Sequence, residues 1–296
     1  MVIENGTFIL KEGRTIGFSQ YGADQGYPVL FFHGTPNSRK TSFPDLSILE
    51  KLNVRLITLE RPGYGLSDVL DGRTVIDWAD DVCEFVEYHG FKQFSVAGVS
   101  GGGPYALSCA YKMPDKVRSC GIISGFAPIN NNKELRKKMS ISHRIAFGMA
   151  LKSPRLLKTF LKPVAKAAIK NPEKSLDKFM TSFAKSDQQL VKSPKVRQLF
   201  INDMKEAYRQ GIGGHYGDLV TLVKPWGFSL NEIDSKVYIW QGQEDKNVPL
   251  VMGEYLDEGL NNSETTIYKK EGHLLFFKRW NNIITALVPD GNLHKS

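Results

Sequence analysis

Gly98-Val99-Ser100-Gly101-Gly102 is the stretch on which the reading of this chain turns. It follows a short apolar run ending at Ala97 and precedes a helix-spaced segment from Gly102 to Lys112, so it reads as a sharp strand-to-helix turn. Its glycines have a steric reason. A serine at the apex of such a turn takes strained backbone angles, and side chains two residues to either side would collide there. Glycine at 98 and 102 removes that collision. The turn lifts Ser100 Oγ above a sheet, with the N-terminus of the next helix beneath it. The helix dipole and the Gly101 N–H then face the place where a negative oxygen would develop. A phosphate-cradling loop does not fit: GxxxxGK[ST] is absent, and Gly101-Gly102-Gly103 runs into Pro104.

The signals on both sides of this turn alternate. Thr7–Lys11 and Thr15–Tyr21 predict two short strands around Glu12-Gly13, and Pro28–Phe32 a buried strand ending at His33-Gly34. Phe43–Leu52 has helical spacing, Val54–Leu59 reads as a strand, and Val75–His89 as a helix with Trp78, Val82, Phe85 and Val86 on one face. Phe94–Ala97 and Val117–Ile123 are strands on either side of the Gly102–Lys112 helix. The pattern then stops. From Phe126 to about Phe228 there is no convincing β-branched run. Ser153-Pro154, Asn171-Pro172 and Ser193-Pro194 each look like an N-cap with proline at the first helical position, and Pro163 is expected to kink or split its segment. Strand signals resume at Lys236–Trp240 and Thr265–Tyr268, with helices at about Leu250–Leu260 and Phe277–Leu287. The fold class expected is α/β: a mainly parallel eight-stranded sheet with right-handed crossovers, flanked by helices. Residues 1–125 and 230–296 form the core, and 126–229 an all-helical cap inserted in it.

A serine nucleophile needs a base, and the base needs an orienting carboxylate. Of six histidines, His294 lies in the terminal tail, His89 ends an amphipathic helix, and His143 and His215 fall in the insertion. His273, in Glu271-Gly272-His273, follows the last strand and leaves the same sheet edge as Ser100, so it is the base expected. Gly242-Gln243-Glu244-Asp245 follows the preceding strand, and Asp245 is preferred to Glu244 as the acid. His33-Gly34-Thr35-Pro36 follows the third strand, where the other oxyanion donor is placed. Pro36 has no N–H, so Thr35 and Gly101 are the expected oxyanion hole, and His33 is read as orienting the loop.

With these residues in place, the chain resembles the α/β-hydrolase fold family from about residue 7 to 288. The matching stretches are His33–Pro36, Glu60-Arg61-Pro62-Gly63-Tyr64-Gly65-Leu66-Ser67, the Ser100 turn, Gly242–Asp245 and Glu271–His273. The chain order Ser100, Asp245, His273 is that of the family. The resemblance implies that Arg61–Gly65 shapes the floor of the site; Glu60 stands where relatives usually carry Asp. Dehalogenases and epoxide hydrolases of the family use an Asp nucleophile, which Ser100 argues against. Proline-iminopeptidase relatives usually carry a tryptophan where Gly101 stands. The expectation is a serine hydrolase, carboxylesterase-like, that cleaves a small ester or related acyl substrate through an acyl-enzyme. It needs no metal or organic cofactor. A perhydrolase or carbon–carbon bond hydrolase variant of the same triad stays open, as does a ligand-sensing or regulatory protein with little turnover. Tyr105, Phe126, Phe147, Met149, His215 and Trp226 are candidate pocket residues, with core packing the preferred role for most.

Composition agrees with a globular enzyme. The 296 residues are 41% hydrophobic and 24% charged, which excludes disorder and fibrous repeats. Cys83, Cys109 and Cys120 are far apart and fit buried thiols. No secretory leader is read at the start and no apolar run suits a membrane span, so a cytoplasmic protein is expected. The net charge of +8 is uneven. Residues 126–224 hold 20 Lys/Arg against 7 Asp/Glu, a net of +13, while the remainder holds 19 against 24, a net of −5. Lys158, Lys162, Lys166, Lys170, Lys174 and Lys178 recur every four residues, among Leu156, Leu157, Phe160, Leu161, Val164, Ala168 and Ile169. The preferred reading is a cap whose apolar side covers Ser100 and lines an acyl pocket, its basic side facing water. Attraction of an anionic substrate stands second, an anionic membrane surface third, and nucleic acid last, because no nucleic-acid module is present. The partner expected is a small acyl substrate; oligomeric state is not legible.

Overall fold

A computed structural model describes residues 2–41, 43–130 and 132–289; His294 and the rest of the tail lie outside the described residues. Eight strands form one sheet: β1 (Ile3–Ile9), β2 (Thr15–Gly22), β3 (Tyr27–Phe32), β4 (Val54–Leu59), β5 (Phe94–Val99), β6 (Val117–Ile123), β7 (Lys236–Gly242) and β8 (Ser263–Tyr268). Their order is β1-β2-β4-β3-β5-β6-β7-β8. β2 pairs antiparallel with β1 and β4, and every pair from β4–β3 to β7–β8 is parallel. The first strand starts four residues earlier than the sequence predicts. Glu4-Asn5-Gly6 has no apolar alternation, and the strand is held there by pairing of Ile3 with Gln20 and of Gly6 with Phe18 across a register shift.

The period of two divides the core into two layers. Leu30, Phe32, Phe94 and Val96 face one side of the sheet, where α2 (Asp77–Tyr88) and α3 (Gly103–Lys112) contribute Trp78, Val82, Phe85, Ala106 and Leu107. Val29, Phe31, Ala97 and Val99 face the other, against Leu49 of α1 (Ser47–Lys51) and residues near the C-terminus. The helical pattern from Phe43 yields a helix only from Ser47, since the residue before Pro44 is disfavoured in helical conformation.

Between β6 and β7 lie α4 (Lys133–Lys138), α5 (Ile141–Lys152), α6 (Pro154–Lys170), α7 (Pro172–Met180), α8 (Lys185–Leu190), α9 (Pro194–Ala207) and α10 (Gly213–Leu222). After β7 come α11 (Leu250–Gly259) and, after β8, α12 (Phe276–Leu287), whose Trp280, Ile283 and Ile284 complete the second core layer. The three prolines at 154, 172 and 194 do open helices, but Ser153, Asn171 and Ser193 make no side-chain cap hydrogen bond. Pro163 does not split its segment: α6 runs through it. Pro163 and Thr159, the residue one turn earlier that loses its amide partner, are both exposed, so water can satisfy the freed carbonyl.

The expected single apolar face of α6 is also corrected. Leu157, Leu161, Ala165 and Ala168 are buried, whereas Leu156, Phe160, Val164 and Ile169 remain 40–55% exposed. At 3.6 residues per turn the side chains at 156, 160 and 164 form a stripe of their own, apart from the buried one.

The chain runs from β3 to β4 in one direction and then crosses back over β3 to form β5, so the strand order reverses between β3 and β5. Loops leaving the carboxyl ends of strands at such a reversal diverge and leave a crevice. Pairing of Phe32 with Gly98 sets the His33–Pro36 loop beside the Ser100 turn.

Candidate active site

Ser100 has φ +55°, a left-handed conformation that costs a non-glycine residue. The turn imposing it has no room for side chains on its flanks. A Cβ at Gly98 would run into the Gly102 carbonyl, and one at Gly102 into the Phe32 carbonyl. The collision is therefore with backbone, on the turn itself and on β3. Residues Ser100–Gly102 make one tight turn before α3 begins, which places the Gly101 amide in the first turn, where N–H groups lack intrahelical acceptors.

Asp245 and His273 come from the ends of β7 and β8, joined where Gly242 pairs with Tyr268. Asp245 Oδ1 accepts the Asn247 and Val248 amides at 2.8 and 2.9 Å, which aims Oδ2 at His273 Nδ1, 2.7 Å away. Glu244, the alternative, is exposed. Burial opposes charging the His273 ring, but the charge and hydrogen bond of Asp245 outweigh it, and with Asp187 they raise the imidazole above its ordinary value. Among the described residues no hydrogen bond joins Ser100 Oγ to His273. Both line the same cavity of about 50 Å³, whose apolar side is Phe179, Phe183, Phe200, Phe276 and Phe277.

Thr35 and Gly34 line that cavity too. A Cβ built on Gly101 would meet the Thr35 side chain and lie 3.4 Å from Thr35 N, so Gly101 packs closely against Thr35, although Gly101 itself is not among the described residues lining the cavity. The loop is fixed from behind. Arg61 donates to the His33 carbonyl at 2.5 Å and the Gly34 carbonyl at 2.9 Å. His33, fully buried, faces the Gly34 carbonyl through Nδ1 and accepts the Arg61 amide at Nε2. Burial, with the Arg61 charge beside it, keeps its ring well below the ordinary histidine value. It is a neutral strut. The Arg61–Gly65 stretch thus braces the loop and does not line the cavity. The extra methylene of Glu60 lets its carboxylate reach Leu66 N at 2.7 Å and Arg39 at 2.8 Å, in space left by Gly17 and Gly65.

The residue that gathers this loop is one the sequence did not single out. Asp218 of α10 accepts from Thr35 Oγ1 at 2.5 Å, Arg61 Nη2 and Arg73 Nη2 at 2.7 Å, Tyr105 at 2.8 Å and Tyr64 at 2.9 Å. Burial alone would raise its carboxyl, but the Arg61 and Arg73 charges hold it well below the usual carboxylate range. Three more acids of the insertion also turn inward. Asp187 accepts the His273 and Leu274 amides at 2.9 and 3.0 Å. Asp203 takes the Ser38 amide at 2.8 Å, the Ser38 hydroxyl at 2.6 Å and the Asn37 side chain, and burial pushes it up to about 7 against those donors. Glu206 pairs with Arg39 at 2.7 Å. The available signal was their rarity: four of the seven acids in a strongly basic segment point at the core.

The sequence places His143 in the insertion with no site role, yet it lines the cavity, its ring lowered to about 4 by burial and by His273. None of the six candidate pocket residues is among the lining residues. Tyr105 is tied to Asp218 and Arg73, His215 bonds Tyr208, Phe126 and Phe147 pack edge to face, and Trp226 and Met149 join the same core.

The alpha/beta hydrolase fold family matches residues 27–279. The chain belongs to that family and is an enzyme of the hydrolase class. It is 24% identical over 273 residues to the AB hydrolase superfamily protein YisY of Bacillus subtilis, covering 90% of this chain and 92% of that one. It is 31% identical over 121 residues to the bifunctional esterase/perhydrolase DCH of Acinetobacter calcoaceticus, a match spanning 40% of this chain and only 44% of the relative. Among solved structures, the esterase EaEST from Exiguobacterium antarcticum superposes with a TM-score of 0.70 at 20% identity, covering 96% and 99% of the two chains. Among the described residues no helix is long and apolar enough to cross a membrane.

Proposed function

We propose that the chain is a serine esterase acting on a small carboxylic ester through an acyl-enzyme. Ser100 is the nucleophile, His273 the base, Asp245 its orienting acid, and the Thr35 and Gly101 amides the oxyanion donors. The observation that carries the reading is the 2.7 Å Asp245–His273 bond opening onto the cavity shared with a left-handed Ser100. Asp245 on Nδ1 leaves Nε2 as the basic atom. As Oγ attacks the ester carbonyl, Nε2 takes the hydroxyl proton and then delivers it to the leaving alcohol. Water repeats the sequence on the acyl-enzyme, releasing the carboxylic acid and restoring Ser100. The helices of residues 126–229 act as a cap on the core formed by 1–125 and 230–296.

The cavity is small, about 50 Å³, so short acyl groups are the substrates favoured without movement of the phenylalanine rim. The relative named an esterase/perhydrolase keeps one variant in view: hydrogen peroxide in place of water would turn the acyl-enzyme into a peracid. The test is a p-nitrophenyl ester series of rising chain length with a Ser100→Ala control. Sustained turnover, highest for the shortest acyl groups and reduced about a thousandfold or more in the control, is expected. Full activity in the control, or release of a single product equivalent per chain, refutes the proposal.

A further inference from the structure

The outer face of α5–α7 is not explained by catalysis. From Leu135 to Asn171 the chain carries ten Lys/Arg and no Asp or Glu. Among the described residues, Lys152, Lys162, Lys166 and Lys170 have no acidic partner. The insertion's spare carboxylates cannot supply one, because Asp187, Asp203, Glu206 and Asp218 are committed to the core. The same face also displays aliphatic and aromatic side chains as a continuous row. Here Leu156, Phe160 and Val164 line an exposed stripe of α6 beside the lysines, and Ile141 and Ile145 stand out on α5, which packs against it.

We propose that this face docks on an anionic lipid bilayer surface, its lysines among the headgroups and the Leu156–Phe160–Val164 stripe at the acyl boundary. Unpaired cations call for an anionic partner, and interleaved apolar side chains call for one with an apolar layer under its charge. A nucleic acid satisfies only the first demand, and a second copy of this equally basic face only the second. The inference rests on the surface and is independent of the esterase reading. It does have a bearing on substrate access, since Phe179 of α7 is 41% exposed and also lines the cavity.

The experiment is co-sedimentation of the full chain with phosphatidylcholine vesicles containing or lacking about 30% phosphatidylglycerol, in a salt series from about 50 to 500 mM. Binding to the anionic vesicles alone is expected, weakening on the order of tenfold across the series. The combined Leu156→Glu, Phe160→Glu, Val164→Glu variant is expected to lose on the order of tenfold in partitioning at low salt. Lys162→Glu with Lys166→Glu provides a second, charge-only variant with the same expected direction. Circular dichroism and activity on a water-soluble ester should match the parent in both. No vesicle binding at low salt, equal binding to neutral vesicles, undiminished binding by both variants, or self-association of the free chain abolished by the stripe variant would each overturn the proposal. So would capture of single-stranded RNA without vesicle binding.

Discussion

Asp218→Asn is the substitution that most directly probes how the insertion holds the site. The side chain keeps its size but loses its charge and one acceptor oxygen, while five neighbours still aim donors at it. Arg61 and Arg73 are fully buried or nearly so, and both depend on this carboxylate. Removing one partner of a buried ion pair costs about 3–5 kcal/mol, and two guanidinium groups sharing one acid place this case at the upper end. With a urea slope of roughly 3 kcal/mol per molar for a chain of this size, the midpoint should fall by about 1.5 M with unchanged slope. The carboxyl is depressed below its ordinary 3.8, so its contribution is present above that pH and lost only as pH falls through the lower folded value. The difference between parent and variant should therefore persist from pH 8 down to about 4 and shrink below it. In protein that remains folded, Thr35 loses its anchor, and kcat should fall on the order of tenfold or more with KM little changed. A midpoint shift worth less than about 1 kcal/mol at pH 7, with slope intact, refutes the account of Asp218 as the buried counter-charge.

Because Asp245 and Asp187 raise His273, the acid limb of kcat/KM should lie above pH 6.5, and Asp187→Asn should move it to lower pH; a limb unmoved by that change contradicts the assigned influence. His143, the other titratable group facing the ring, stays neutral in this range and should leave the limb in place. Ser100→Gly should be inactive yet as stable as the parent or up to about 1–3 kcal/mol more so, since glycine relieves the left-handed backbone; clear destabilisation in thermal melts argues against strain at 100. Pro163→Ala should raise the melting temperature by restoring an amide inside α6, with a gain of about 1–2 kcal/mol after the unfolded-chain entropy is offset; a loss would mean that Pro163 has a packing role.

The strands and the Ser100 turn were legible because they are local. Apolar runs bounded by glycine and proline define β3 to β7, and Gly98 and Gly102 announce a turn whatever lies elsewhere. The pairing of His273 with Asp245 was legible because strand ends share one sheet edge, so order along the chain stands in for position in space. Asp218, Asp187 and His143 were not. The partners of Asp218 and Asp187 lie between about 85 and 185 residues away, His143 itself bonds, among the described residues, only nearby Ser140 while facing a cavity built from distant segments, and no local pattern states which face of α10, α8 or α5 meets the core. The pocket is illegible for a related reason: residue type alone marks Phe126, Phe147 and Trp226 as readily as Phe179, Phe200 and Phe276, and only the last three reach the cavity, through the way their helices dock. Pro163 shows the converse, a local rule overridden because the orphaned carbonyl faces water.

The inward turn of the insertion's carboxylates has a consequence for making chimaeras. Asp187, Asp203, Glu206 and Asp218 find their donors on core loops at 273–274, 37–38, 39 and 61–73. An insertion moved onto a relative's core would bring four acids without their donors and leave Arg61 and Arg73 behind without their acid and Arg39 with Glu60 alone. Exchange of substrate preference between relatives by swapping this segment therefore requires the arginines to travel with it, a graft of two interleaved pieces and not of one.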